Sequence, residues 1–277
     1  MKIKKFFFAS KKYSSKYYKY FEIYESLLKK YSSKKITLVE IGVLNGGSLE
    51  MWKKFLGPKA RIIGIDLNPE CKNFEKKGIE IYIGDQSCPK FWQSFFNKVG
   101  KVDIVIDDGG HTNIQQIITT VEVIPNIKDN GMLIVEDTHS SYMREFSNPG
   151  PYSFMMFVKK IVDDINFKFN NLGSFKFSLN KYINSVQTFE SIIVFHVNQK
   201  KTYKNYFIEN KKIHKNHLRD YRYSQSKISN FYYSKFLYRF KILKNFFLLN
   251  YIWKQIIFYL RYSENVKEIK KYSKYFK

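Results

Sequence analysis

Two short acidic clusters, Ile106-Asp107-Asp108-Gly109-Gly110-His111 and Val135-Glu136-Asp137-Thr138-His139, hold the residues of this chain best suited to chemistry. Each follows a short apolar run, 102–106 or 132–135, of the kind that forms a buried parallel strand. Ligands of open α/β sheets sit at the carboxyl ends of such strands. The spacing therefore aims Asp107, Asp108, Glu136 and Asp137, with His111 and His139, at one crevice. Carboxylates that close repel one another unless a cation lies among them, and oxygen-rich clusters suit Mg²⁺, Mn²⁺ or Ca²⁺. A lone strand-end acid is well explained as a helix cap. Two acidic pairs, one followed by a histidine three residues on, are not.

A partner for that crevice is suggested by Leu38-Val39-Glu40-Ile41-Gly42-Val43-Leu44-Asn45-Gly46-Gly47-Ser48, an apolar strand running into a glycine-rich turn, with Ser48 placed to cap the next helix. The spacing matches neither the dinucleotide fingerprint nor a phosphate-cradling loop. Glu40, just before the first glycine, would repel a pyrophosphate and welcome a cationic or hydroxyl-bearing ligand. The strand 61–66 ends in Asp66, placed to accept from ribose hydroxyls. The strand 79–83 leads to Gly84-Asp85-Gln86, whose side chains could read an adenine edge. A ribose acid, an adenine reader and no phosphate loop describe an adenosine ligand without phosphates, a description that S-adenosylmethionine fits.

Together these residues resemble the class I S-adenosylmethionine-dependent methyltransferases, over roughly Lys35 to Val197. More narrowly they are similar to the metal-dependent sugar O-methyltransferases of macrolide tailoring (macrocin and mycinamicin type) and their rhamnosyl O-methyltransferase and cephalosporin-hydroxylase-like relatives. The resemblance implies a divalent metal, Mg²⁺ or Mn²⁺, on Asp108, Glu136 and Asp137, with His111 as base. The expected cofactor contacts are Glu40, Gly42, Gly46, Gly47, Ser48, Asp66, Asp85, Gln86 and Asp107. His139 and Tyr142 are expected beside the substrate or supporting the site. The implied activity is methylation of a sugar hydroxyl in surface polysaccharide or glycoconjugate synthesis, on an acceptor linked to a nucleotide, lipid or polymer. A catechol-type acceptor, or a non-catalytic module docking on polyanions or membrane, are the alternatives.

The net charge is confined to the two ends. Residues 1–35 carry 11 basic and 2 acidic side chains and residues 201–277 carry 19 and 4, so the stretch between is neutral in a chain of net charge +24. The core is thus no basic nucleic-acid groove, and Ile106-Asp107-Asp108-Gly109 does not resemble the tetrapeptide of base-amino methyltransferases. The ends suit an anionic membrane surface, unless they reflect only the Lys, Asn, Ile, Phe and Tyr of an AT-rich coding sequence. A homo-oligomer is a further expectation. The longest apolar run, 246–260, is too short to span a bilayer, no secretory signal opens the chain, and Cys71 and Cys88 form no CxxC pair. These features predict a cytoplasmic protein, peripheral at the inner face of the membrane if the ends bind it.

These residues need a frame. Residues 1–34 read as a basic-aromatic helical extension. Strands over 36–41, 61–66, 79–83, 102–107 and 131–136 alternate with helices over 48–56, 69–77, 89–97 and 112–124. A helix near 153–166 and strands near 174–180 and 189–197 complete the pattern. That order predicts an α/β, Rossmann-like, doubly wound sheet of seven mostly parallel strands with an antiparallel final hairpin. It gives a domain over 35–200 and a basic, mainly helical extension over 201–277. The loop 140–152 is a candidate lid. Trp52, Trp92 and Phe95 read as core, His196 in its apolar strand as structural, and His214 and His217 are assigned no chemistry.

Overall fold

The computed structural model describes residues 1–146, 150–169, 177–203, 205–210 and 247–276. They fall into two compact units, Met1–Phe207 and Ile208–Lys277. The first is built on a seven-stranded sheet of order β3-β2-β1-β4-β5-β7-β6, where β1 is Thr37–Ile41, β2 Arg61–Asp66, β3 Ile79–Ile83, β4 Val102–Asp107, β5 Ile127–Val135, β6 Ile183–Phe189 and β7 Ile192–Val197. The first five strands run parallel, and β7 joins β5 and β6 antiparallel.

The central strands β1, β2, β4, β5 and β7 are apolar on both faces, which is what a sheet covered by helices on both sides requires. Leu38, Ile62, Ile104, Ile106 and Met132 face one core, and Val39, Ile63, Val105 and Leu133 face the other. The first core is closed by α1 (Lys2–Phe8), α2 (Tyr20–Leu28) and α3 (Gly47–Leu56), the second by α4 (Pro89–Val99), α5 (Asn113–Val123) and α6 (Phe154–Phe167). Trp52, Trp92 and Phe95 are fully or almost fully buried core residues. His196 pairs with Gln187 across the β6–β7 hairpin.

Four expectations need correction. The N-terminal segment is neither one helix nor an appendage. An irregular strap separates α1 from α2, and α2 buries Tyr20, Phe21, Ile23, Tyr24, Leu27 and Leu28 in the first core. The helix expected over 69–77 is a 3-10 turn at Pro69–Phe74, because Lys76 turns back to bridge Ile79. Strand β5 begins at Ile127 rather than 131. Asp129-Asn130-Gly131 lies within it as a bulge, with Asn130 at φ 67° and a register shift against β4. The final hairpin pairs Ile183–Phe189, not 174–180, with β7. A two-residue turn at Glu190-Ser191 with Ser191 at φ 65° sets that register, and of the expected strand the residues 177–180 are irregular while 174–176 lie outside the described residues.

In the second unit α7 (Phe247–Lys270) leaves Tyr251, Ile252, Ile256, Phe258 and Tyr259 exposed. Among the described residues no helix is long and apolar enough to cross a membrane. His214 and His217 lie outside the described residues.

Candidate active site

A cleft of about 720 Å³ opens at the carboxyl ends of β1, β2, β4 and β5. Its wall includes Gly42, Ser48, Asp66, Asp85, Gln86, Asp108, His111, Glu136 and Asp137. Glu40, Gly46, Gly47, Asp107, His139 and Tyr142 lie outside that wall.

The glycine turn works by close approach. Gly42 sits at φ 89°, and a Cβ there would meet the Asp108 carbonyl oxygen at 2.0 Å, so β1 and β4 can converge only with glycine at this position. Behind the turn the fully buried Glu40 accepts from Ser48 Oγ at 2.6 Å and Trp52 Nε1 at 2.9 Å. Asp66 is fixed at the cleft wall because one carboxylate oxygen accepts from the Val43 amide at 2.8 Å and the Leu44 amide at 3.3 Å, the other from Asn68 at 2.9 Å. Gln86 is largely committed within the protein. Its amide donates to Asp107 at 2.9 Å and Thr119 at 3.0 Å, and its carbonyl accepts from Gly110 N–H at 3.1 Å.

Among the described residues six non-glycine ones have positive φ, and three of them, Leu44, His111 and Asp137, line this cleft. Strained backbone of this kind persists where the surroundings over-determine it, and it concentrates at functional sites. His111 Nε2 lies 3.5 Å from Asp137 Oδ2 and 3.9 Å from Asp108 Oδ1. Ligand atoms of Asp108, His111 and Asp137 all lie within 4.8 Å of one another, a spacing that a single cation could bridge. Asp137 also accepts from Tyr20 OH at 2.5 Å.

Sequence reasoning missed three residues that complete the cluster: Lys16, Tyr20 and Tyr24. The Lys16 ammonium is 2.5 Å from Asp108 Oδ2, 3.0 Å from both Glu136 oxygens and 3.7 Å from Glu40 Oε1. Tyr24 donates its hydroxyl to Glu136 Oε1. Burial alone would lower the lysine's pKa, yet Asp108, Glu136 and Glu40 together hold it above the ordinary value. Burial, reinforced by the charge of Asp108, raises the carboxyls of Glu40 and Glu136. One ammonium against these carboxylates leaves the cluster short of positive charge. Asp107 Oδ2 and His111 Nδ1 are buried without a hydrogen-bond partner among the described residues. The donor set therefore fits a hard divalent cation. The recurrence of Lys16, Tyr20 and Tyr24 at every fourth residue was the available sequence signal, but nothing local ties it to acids more than 90 residues away.

His139 bonds Ser191 Oγ and packs its ring edge-on against Tyr17 at 5.9 Å, while Tyr142 is exposed at the end of a 3-10 turn. Of the loop 140–152, residues 147–149 lie outside the described residues. Cys71 is a buried thiol whose pKa burial, then Asp66, pushes up to about 11.

No family model matches the chain. The 8-demethyl-8-alpha-L-rhamnosyl tetracenomycin-C 2'-O-methyltransferase of Streptomyces olivaceus is 29% identical over 159 residues, 53% of this chain and 41% of that protein. The mycinamicin VI 2''-O-methyltransferase of Micromonospora griseorubida is 30% identical over 130 residues, 44% of this chain and 32% of that protein. This chain thus spans well under half the length of these curated relatives. Among solved structures, the MycE methyltransferase of the mycinamycin biosynthetic pathway, in complex with Mg, SAH and mycinamycin VI, superposes with a TM-score of 0.59 at 24% identity. The match covers 64% of this chain and 48% of that one, and it establishes a shared fold. Strand order and relatives agree: the chain is a homologue of sugar O-methyltransferases and carries the class I S-adenosylmethionine-dependent methyltransferase fold.

Proposed function

We propose that this protein is an S-adenosylmethionine- and divalent-metal-dependent O-methyltransferase that methylates a sugar hydroxyl on a glycoconjugate or surface polysaccharide precursor. The observation that carries the reading is the convergence of Asp108, His111 and Asp137 within 4.8 Å in a cleft at the strand ends. The names of the relatives, which act on rhamnosyl and other glycosides, favour a sugar over a catechol.

An alkyl hydroxyl is a weak nucleophile until its proton is removed. Asp108, Glu136 and Asp137 would hold the metal and Gly42, Ser48, Asp66, Asp85 and Gln86 the cofactor, with Glu40, Gly46, Gly47 and Asp107 supporting that wall from behind. The bound groups supply, respectively, a lowered hydroxyl pKa and the methyl. His111 takes the hydroxyl proton at Nε2, the nitrogen that faces the two aspartates. Its ring is placed by the left-handed backbone at φ 56° and by Ser140 Oγ donating to its carbonyl at 2.9 Å. Asp108 and Asp137 stabilise the imidazolium that results, and α2 covers Asp137 and Glu136 with Tyr20 and Tyr24. Near-attack placement of hydroxyl and methyl then supplies much of the rate. His139, tied to Ser191 and Tyr17, would border the acceptor, with Tyr142 near its rim.

We infer further that the basic 201–277 stretch docks the enzyme peripherally on an anionic cytoplasmic membrane face, a reading favoured by the exposed apolar residues of α7. The test of the activity is a methyl-donor assay against nucleotide sugars and surface glycans. EDTA should abolish turnover and Mg²⁺ or Mn²⁺ should restore it. Full activity in chelator after metal-free preparation would remove the aspartates from that role.

A further inference from the structure

The strap between α1 and α2 carries Lys16, which enters this site from outside the sheet. Its backbone lies directly on the glycine turn, since a Cβ on Gly47 would meet the carbonyl oxygens of Lys12 at 2.5 Å and Tyr13 at 2.7 Å. Ser14, Ser15, Lys16 and Tyr17 line the cleft. Tyr13, Tyr17 and Tyr18 are exposed, whereas the Lys16 side chain is 1% exposed. Lysine is almost never buried to this degree unless it is paired. Here the strap sends one cation down among the acids.

That cation uses lone pairs that a metal would need. Asp108 is divided, with Oδ2 on the ammonium and Oδ1 turned toward His111. Glu136 Oε1 already accepts from both Lys16 and Tyr24, and Oε2 accepts from Lys16. With Lys16 in place the ligand atoms that converge are those of Asp108, His111 and Asp137, and Glu136 is not among them. An ammonium and a divalent ion sharing Asp108 and Glu136 would also repel each other across a few ångströms of poorly solvated space. The two cations compete for one set of oxygens.

We propose that Lys16 is a built-in stand-in cation: it holds Asp108 and Glu136 together in the metal-free protein and yields them to the incoming divalent metal, so that metal loading lifts the strap over 10–19 from the cleft. This rests on the metal-dependent reading above. It adds that the strap gates the site and that Glu136 joins the ligand set only when the strap has moved. Without the ammonium the buried acids would repel one another in the empty site. With it, an enzyme short of metal keeps its cleft intact and covered.

The test is direct Mn²⁺ binding, followed by the paramagnetic resonance of free Mn²⁺, for the full chain and for Lys16→Met, which keeps the side chain's length and removes its charge. Lys16→Met should bind Mn²⁺ more tightly by a factor in the range of about 5 to 150, the usual span of a coupling between two competing occupants. Unchanged or weaker binding overturns the proposal and makes Lys16 a permanent member of the site. Should Lys16→Met fail to fold without metal, hydrogen exchange on the unsubstituted protein decides. Amides over 10–19 should exchange faster when Mn²⁺ is bound, and equal or slower exchange overturns the proposal. Mn²⁺ binding without any change in the strap removes this inference and leaves the metal reading standing. No binding by the unsubstituted protein or the variant removes both.

Discussion

His111 is the residue whose geometry most restricts its role. Its Nε2 faces Asp108 and Asp137, its Nδ1 is buried without a partner among the described residues, and its backbone is held at φ 56°. A histidine kept in that conformation is positioned rather than merely packed. His111→Ala should lower kcat by on the order of 10²–10⁴ while cofactor affinity is preserved, the usual loss for a general base. Raising the pH should partly restore the rate, because hydroxide or water can then take the proton. Calorimetry with Mn²⁺ separates the alternative: a variant that binds cofactor but has lost the metal would make His111 a ligand instead.

At the scale of elements, the N-terminal segment has the largest consequence. Helix α2 is short, yet Tyr24 and Leu28 are fully buried in the core that covers one face of the sheet, and Tyr20 and Tyr24 carry hydroxyls to Asp137 and Glu136. Leu28→Ala should therefore destabilise the first unit by about 2–5 kcal/mol in urea titration, the range for a large-to-small change in a close-packed core. A loss under about 0.5 kcal/mol, as expected at an exposed position, would return the segment to the status of an appendage. The alternation of strands and helices was legible because the parallel strands are continuous apolar runs and the acids end them at the cleft. The cluster of Asp108, His111 and Asp137 was legible for the same reason, since strand order alone brings β4 and β5 side by side. The strap was not legible. Lys16 reaches Glu136 across 120 residues, and a lysine in a basic stretch carries no local mark of burial. The hairpin register was missed because it is set by the turn at Glu190-Ser191, where a serine adopts the left-handed conformation.

For the whole molecule, the question is what an excess of positive charge does for a chain whose central stretch is neutral. Residues 201–277 carry 19 basic side chains against 4 acidic ones. Within them α7 exposes Tyr251, Ile252, Ile256, Phe258 and Tyr259. Basic residues beside aromatic and aliphatic ones are the composition of a segment that lies on an anionic bilayer surface. If that is its use, neutralising several of these lysines should raise KM for a lipid-linked acceptor presented on anionic vesicles. Methylation of a small soluble sugar should hardly change, because the carboxylates and His111 proposed to carry the chemistry all belong to the first unit. The difference should shrink as salt rises, since exposed charges are screened over about 8–10 Å at physiological ionic strength. Vesicle co-sedimentation of the unsubstituted and neutralised proteins, run alongside the two kinetic assays, separates recruitment from catalysis. Equal sedimentation and equal KM on both acceptors would leave the basic extension without a membrane role, and its charge would then be a matter of composition.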